Sequence, residues 1–265
     1  MRRTIFAGAL VLASGISQLL AQQPAAAPAG PKGPTPKSEA ERVAVVAVFQ
    51  AQQAGPDAVI KAAEELLTKF ADTEFKEVAL FTEAQAYQQK KDTPKAQIFA
   101  ERVLEINPKN FQASLMVGEI LASTTRENDL DREDKLTRAE KYLNDTIETL
   151  KTTPKPNPQL PDDQWNDAKK FMTAEAHNDI GLAELVRKKY DLAAKEFQAA
   201  MDLDPQPAYG VRLASALQLS GKNDEAIALC DKIMADPQLH PAIKQVATSV
   251  KTAATQAKAK APAKQ

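Results

Sequence analysis

One cysteine, Cys230, stands in 265 residues, so no disulfide can form within the chain. Glycine is scarce at nine, tryptophan occurs once, and the two histidines, His177 and His240, are far apart. Few glycines beside abundant alanine, leucine, glutamate, lysine and glutamine favour helix over strand. No alternating apolar run bounded by hairpin turns stands out, which leaves an all-α chain. Charge of either sign is also missing in net. The formal total is −1, and losing the two positive charges of Arg2 and Arg3 lowers it to −3. Such a balance excludes the basic footprint of a nucleic-acid binder. No phosphate loop, zinc-ligand cluster or hydrolase elbow is present. Nothing offers a nucleophile, a base and an orienting group together, so neither catalysis nor a cofactor is expected.

One apolar run does exist, Ile5 to Ala13, extending loosely to Leu20 behind Arg2 and Arg3. It reads as a secretory signal peptide over 1–21, with Ala21 as the cleavage residue. Ser14, Gly15, Ser17 and Gln18 interrupt it too soon for a membrane span. The expected protein is exported to the periplasm or cell envelope, or secreted, and membrane attachment would need an uncleaved leader. The arginine pair also allows a twin-arginine export signal. Gln22 to Lys37 is rich in proline, alanine and glycine and reads as a disordered tether.

From Ser38 onward the pattern is helical. Ser38 and Glu41 form a capping-box pair. Gly55-Pro56-Asp57 turns the chain into a second helix. Thr93 and Pro94 suit the cap and first position of another. Arg126 to Lys135 extends a later loop, and Thr152 to Pro161 is a proline-rich interruption. Asp162 or Asp163 caps the next helix, with Trp165 anchoring its start. Asn223 suits a further cap. His240 to Lys258 is a closing helix with Ile243, Val246 and Val250 on one face, and 259–265 is a loose tail. The pattern amounts to a repeat domain over 38–258, with about five helix–turn–helix pairs and a C-terminal capping helix.

The clearest pair is Ala174 to Pro205. Gly181, Ala193, Phe197 and Pro205 stand twelve, four and eight residues apart. Ala96 and Pro108 repeat the twelve-residue step from Ala193 to Pro205, and Val117-Gly118 repeats Ile180-Gly181. A small residue on one helix and a large one on the next let two helices approach closely. One pair cannot bury its apolar stripe alone, so pairs must stack. On these residues the chain resembles the tetratricopeptide-repeat family, whose unit is a 34-residue helix–turn–helix. His177 stands where that family prefers tryptophan, and Glu184 where it prefers tyrosine.

The resemblance implies an α-solenoid that binds a protein or peptide segment in the groove formed by the first helices. The family's groove positions two, five, nine and twelve fall on Val78, Phe81, Gln85 and Gln88, then Gln112, Leu115, Glu119 and Ala122. They continue on Glu175, Asn178, Leu182 and Leu185, then Ala208, Val211, Ser215 and Gln218. The expected partner-binding residues are Phe81, Gln85, Gln88, Gln112, Glu119, Glu175, Asn178, Ser215 and Gln218. This lining lacks the lysine and asparagine set that clamps a terminal carboxylate in chaperone-binding members. A second reading is a carbohydrate- or small-ligand-binding envelope protein that stacks its ligand on Trp165, Tyr190 or Tyr209.

Other residues read as structural. His177 falls on a packing position. Cys230 falls on the buried stripe, in the place of Phe197 one repeat earlier. Asp129, Asp131, Glu133 and Glu140 match the count of a calcium loop, but Asp134 replaces its glycine, and Arg132, Lys135 and Arg138 oppose a cation.

Overall fold

The computed structural model describes residues 33–260. Eleven α-helices and no strand occur among them. They are α1 (Glu39–Ala51), α2 (Pro56–Lys69), α3 (Lys76–Gln89), α4 (Thr93–Ile106), α5 (Phe111–Thr124) and α6 (Arg132–Thr152). The rest are α7 (Asp162–Val186), α8 (Tyr190–Leu203), α9 (Pro207–Leu219), α10 (Asn223–Met234) and α11 (Pro241–Lys260). The leader, residues 22–32 of the tether and the tail from 261 lie outside the described residues. Among those described, no helix is long and apolar enough to cross a membrane.

The chain divides into two compact units. The first holds residues up to Ala113 with Thr152–Ala168, and the second holds Ser114–Lys151 with Lys169 onward. In the first, α1 packs on α2, α2 on α3, and α3 on α4. In the second, α8 packs on α9, α9 on α10, and both α9 and α10 on α11.

Within each pair the packing is a matched exchange of volume. A β-carbon added to Gly118 would stand 2.6 Å from Leu143 Cγ, and one on Gly181 would stand 2.6 Å from Phe197 Cε1. Where the second helix carries the smaller Ala100 or Cys230, the first carries Ala84 or Ala214, and all four are fully buried. In these four pairs the helices therefore approach closely, with glycine facing the larger residue and alanine the smaller.

The turns also repeat. Lys91, Lys188 and Gly221 hold positive φ, 59°, 61° and 84°. After each, the next amide donates back across the helix end: Asp92 N to Tyr87 O, Lys189 N to Glu184 O, and Lys222 N to Leu217 O. This is a Schellman closure, which satisfies carbonyls the helix leaves open. Glycine takes the left-handed conformation freely, and the two lysines are held in it by the turn.

Several expected boundaries move. Ser38 does cap α1, accepting from Glu41 N at 3.1 Å, but Glu41 reaches Lys37 N at 2.6 Å rather than Ser38 N. Its other oxygen accepts from Thr73 Oγ1 at 2.6 Å. Thr35 N donates to Glu74, and Lys37 Nζ to Asp72. The end of the expected tether is thus pinned to the loop before α3. Asp92, not Thr93, caps α4, accepting from Lys95 N at 3.3 Å. Lys222 rather than Asn223 precedes α10. Arg132 to Lys135 form the first turn of α6 instead of loop, and α7 starts at Asp162 after Pro161. On α11 the buried residues are Ala247 and Ala254, flanked by Ile243 and Val250, while Val246 is exposed. Helical spacing from Ile243 returns to the core at four, seven and eleven, which leaves Val246 outside. The helix continues through Lys260, past the expected start of the tail.

Candidate functional site

The expected partner-binding residues fall into both units. Phe81, Gln85, Gln88 and Gln112 belong to the first, and Glu119, Glu175, Asn178, Ser215 and Gln218 to the second. Gln88 and Glu119 are exposed, and Gln85, Gln112, Glu175, Ser215 and Gln218 are half-buried. Phe81 and Asn178 are buried, at 5% and 6% exposure. Those two support the surface from beneath and do not line it.

In the second unit, α5, α7 and α9 bring a polar cluster together. Asn178 Nδ2 donates to Asp179 Oδ1 at 2.9 Å, and Arg212 Nη1 donates to Asn178 Oδ1. Asp179 is buried, and burial together with the charges of Glu119 and Glu175 pushes its carboxyl up to about 8. Burial pushes Glu175 up to about 7, with Glu119 and Asp204 adding to it. Glu119 is exposed by surface area, yet enough protein surrounds it that desolvation raises its carboxyl too. The buried Tyr209 hydroxyl is raised, first by burial and then by Glu175. At neutral pH Asp179 and Glu175 therefore carry less than their full charge, and Arg212 offsets part of what remains on Asp179.

Asp179 and Arg212 were not among the expected residues. Both stand at position six of consecutive pairs, beside groove position five. An acid and a base at one position in adjacent repeats is a sequence signal for such a pairing. Glu83, in the first unit, was also missed. It is wholly buried and neither carboxylate oxygen has a partner. The equivalent residues are Val117, Ile180 and Leu213, so its place in the repeat marks it as a charge in an apolar slot. Burial and Glu64 push it up to about 7, against the opposing pull of Arg102.

The residues matching a calcium count are already engaged. Arg187, its side chain 4% exposed, bonds Glu133 at 2.8 Å, Glu140 at 2.9 Å and Glu184 at 2.6 Å. Asp129 caps Arg126 N and pairs with Lys135. His177 Nδ1 lies 2.8 Å from Glu196 Oε2, joining α7 to α8. Cys230 is fully buried, and burial raises its thiol away from reactivity. Trp165 packs on Phe111 with centroids 6.4 Å apart, and its indole N–H reaches Thr153 O at 3.4 Å. Trp165 and Tyr209 are buried, so neither offers a ring face for stacking a sugar.

A tetratricopeptide-repeat family model matches residues 78–110, which cover most of α3 and all of α4. No curated protein matches the sequence. Solved structures do resemble it. A thermophilic tetratricopeptide-repeat protein of Thermus thermophilus, TTC0263, is 18% identical, with 79% of this chain and 98% of that one covered and a TM-score of 0.50. MamA of Desulfovibrio magneticus, from its residue 41, is 17% identical over 75% of this chain and 95% of its own, at 0.57. PilF of Pseudomonas aeruginosa is 14% identical over 83% and 89%, at 0.52. At these identities the likeness is one of fold.

Proposed function

The chain is built of tetratricopeptide-type helix pairs, one of them matched by the family's own model, and on that premise we propose that it is an exported, non-catalytic scaffold that binds a segment of another protein. The segment lies along the first helices of the pairs within a unit, and each unit offers its own set of contacts. The contacts are Gln85, Gln88 and Gln112 in the first unit and Glu119, Glu175, Ser215 and Gln218 in the second. The observation that carries this reading is the recurrence of accessible polar side chains at the same repeat positions, over a core closed by small residues. Long amide side chains can hydrogen-bond an extended or helical backbone without demanding one sequence. Export rests on the leader alone.

Affinity capture from the cell envelope, quantified against a Gln88→Arg/Gln218→Arg double variant, tests the binding. A protein held by the parent and lost by the variant is expected. A capture profile indifferent to the variant would speak against it. Mass analysis of the mature N-terminus tests export, and a chain still beginning at Met1 in the cytoplasm would contradict it.

A further inference from the structure

Beside the core stripe, the helices of the first pair carry a second run of apolar residues, of which Ala44, Ala62 and Phe70 pack partly against the core while Ala40, Val43 and Ala47 stay exposed. On α1 the inner stripe is Val45 and Val48 with Glu41, and on α2 it is Val59, Ile60, Ala63 and Leu66. The outer stripe runs through Ala40, Val43, Ala44 and Ala47 on α1, at steps of three, one and three. It continues through Ala58 and Ala62 on α2 and closes at Phe70. Between the two helices lies a groove of about 530 Å³, rimmed by Lys61, Glu65 and Lys69. Val43 stands 57% exposed beside it. End helices of stacked repeats ordinarily turn a polar side outward. The closing helix α11 exposes Lys244, Thr248, Thr252 and Thr255, with Val246 as its one large exposed hydrophobic residue. The outer face of α1 and α2 is not polar in this way.

We infer that this face is a contact with a second copy of the chain, related by a two-fold axis. The charge pattern selects that occupant. Lys61 and Glu65 are exposed one turn apart on α2. A two-fold axis between them sets Lys61 of each copy against Glu65 of the other, so the rim is complementary to itself. Glu65 shares that charge with Lys69, 3.2 Å away on the same helix. The apolar surfaces fit in the same way. Val43 projects beside a groove floored by the small side chains of Ala44, Ala47, Ala58 and Ala62, so a facing helix can approach closely there. Two helices of 13 and 14 residues form a small face, so the dimer is reversible and concentration-dependent, not obligate.

Sedimentation equilibrium on the protein as purified from cells tests this, with circular dichroism confirming that each variant is folded. The parent is expected to pass from monomer to dimer as concentration rises. Val43→Asp is expected to abolish the dimer. Lys61→Glu and Glu65→Lys are each expected to weaken it about tenfold, because like charges then face each other twice. An equimolar mixture of those two variants is expected to associate like the parent, since both pairs are restored in the mixed dimer. A chain monomeric at every concentration overturns the inference, as does a dimer indifferent to Val43→Asp or a mixture no tighter than its components. A chain that dimerises only once residues 1–21 are removed assigns the groove to the leader and overturns it equally.

Discussion

Phe197 lies so close to Gly181 that a β-carbon there would meet three atoms of its ring, at 2.6, 2.8 and 2.9 Å. The ring is fully buried and has no room to swing aside. Gly181→Ala gains about 1 kcal/mol of helix propensity. It loses roughly 1–3 kcal/mol to overpacking. Net destabilisation is expected in chemical denaturation. Adding Phe197→Leu is expected to recover part of the loss, and simple additivity of the two would show that they do not share the space.

Glu83 makes stability fall as pH rises. Its carboxyl moves from 4.5 to about 7 on folding, chiefly through burial. An acid that holds its proton more tightly when folded contributes fully below the unfolded value and loses that contribution as pH passes the folded one. The window is therefore pH 4.5 to 7. Glu83→Leu, matching Val117 and Ile180 in the other pairs, is expected to flatten the profile and to add roughly 3 kcal/mol at pH 8. Denaturant titrations across that window check it, and parallel profiles would refute it.

Asp179 obeys the same sign over a wider range, from 3.8 to about 8. Carbon-detected titration of its side chain is expected to show protonation well above the usual carboxylate range. Asp179→Asn keeps the acceptor for Asn178 and removes the charge. Its stability advantage over the parent is expected to grow steadily between pH 4 and 8, and a pH-independent difference would contradict the assignment.

Lys91 holds a left-handed turn that Gly221 holds without strain. Lys91→Gly is expected to stabilise the protein by about 1 kcal/mol, less the greater freedom glycine gives the unfolded chain. Thermal or denaturant unfolding reads the sign. A clear loss would mean that the lysine side chain contributes more than its backbone costs.

The repeat was legible in the sequence because sterics impose it. Gly118, Gly181, Ala193 and Phe197 reveal the close approach of two helices by their sizes and spacing. Ser38 announced its cap, although not that Glu41 would reach Lys37 and Thr73 at once. Caps elsewhere slipped by one residue, as at Asp92, since aspartate and threonine satisfy the same amides. What sequence spacing hid was charge in three dimensions. Arg187 gathers Glu133 and Glu140 from 54 and 47 positions away. Arg212 reaches Asn178, the partner of Asp179, only once α7 and α9 are packed. Of the nine candidate contacts, Phe81 and Asn178 proved buried because the family's groove positions five lie nearest the helix interface here.

The most direct test of the central claim is a photo-crosslinker placed in living cells at Gln88 and at Gln218, with Gln198 on α8 as the control. The account predicts a discrete protein adduct from the first two positions and none from the third. Adducts from Gln198 alone, or from no position while the protein is present at normal level, would contradict binding along the first helices.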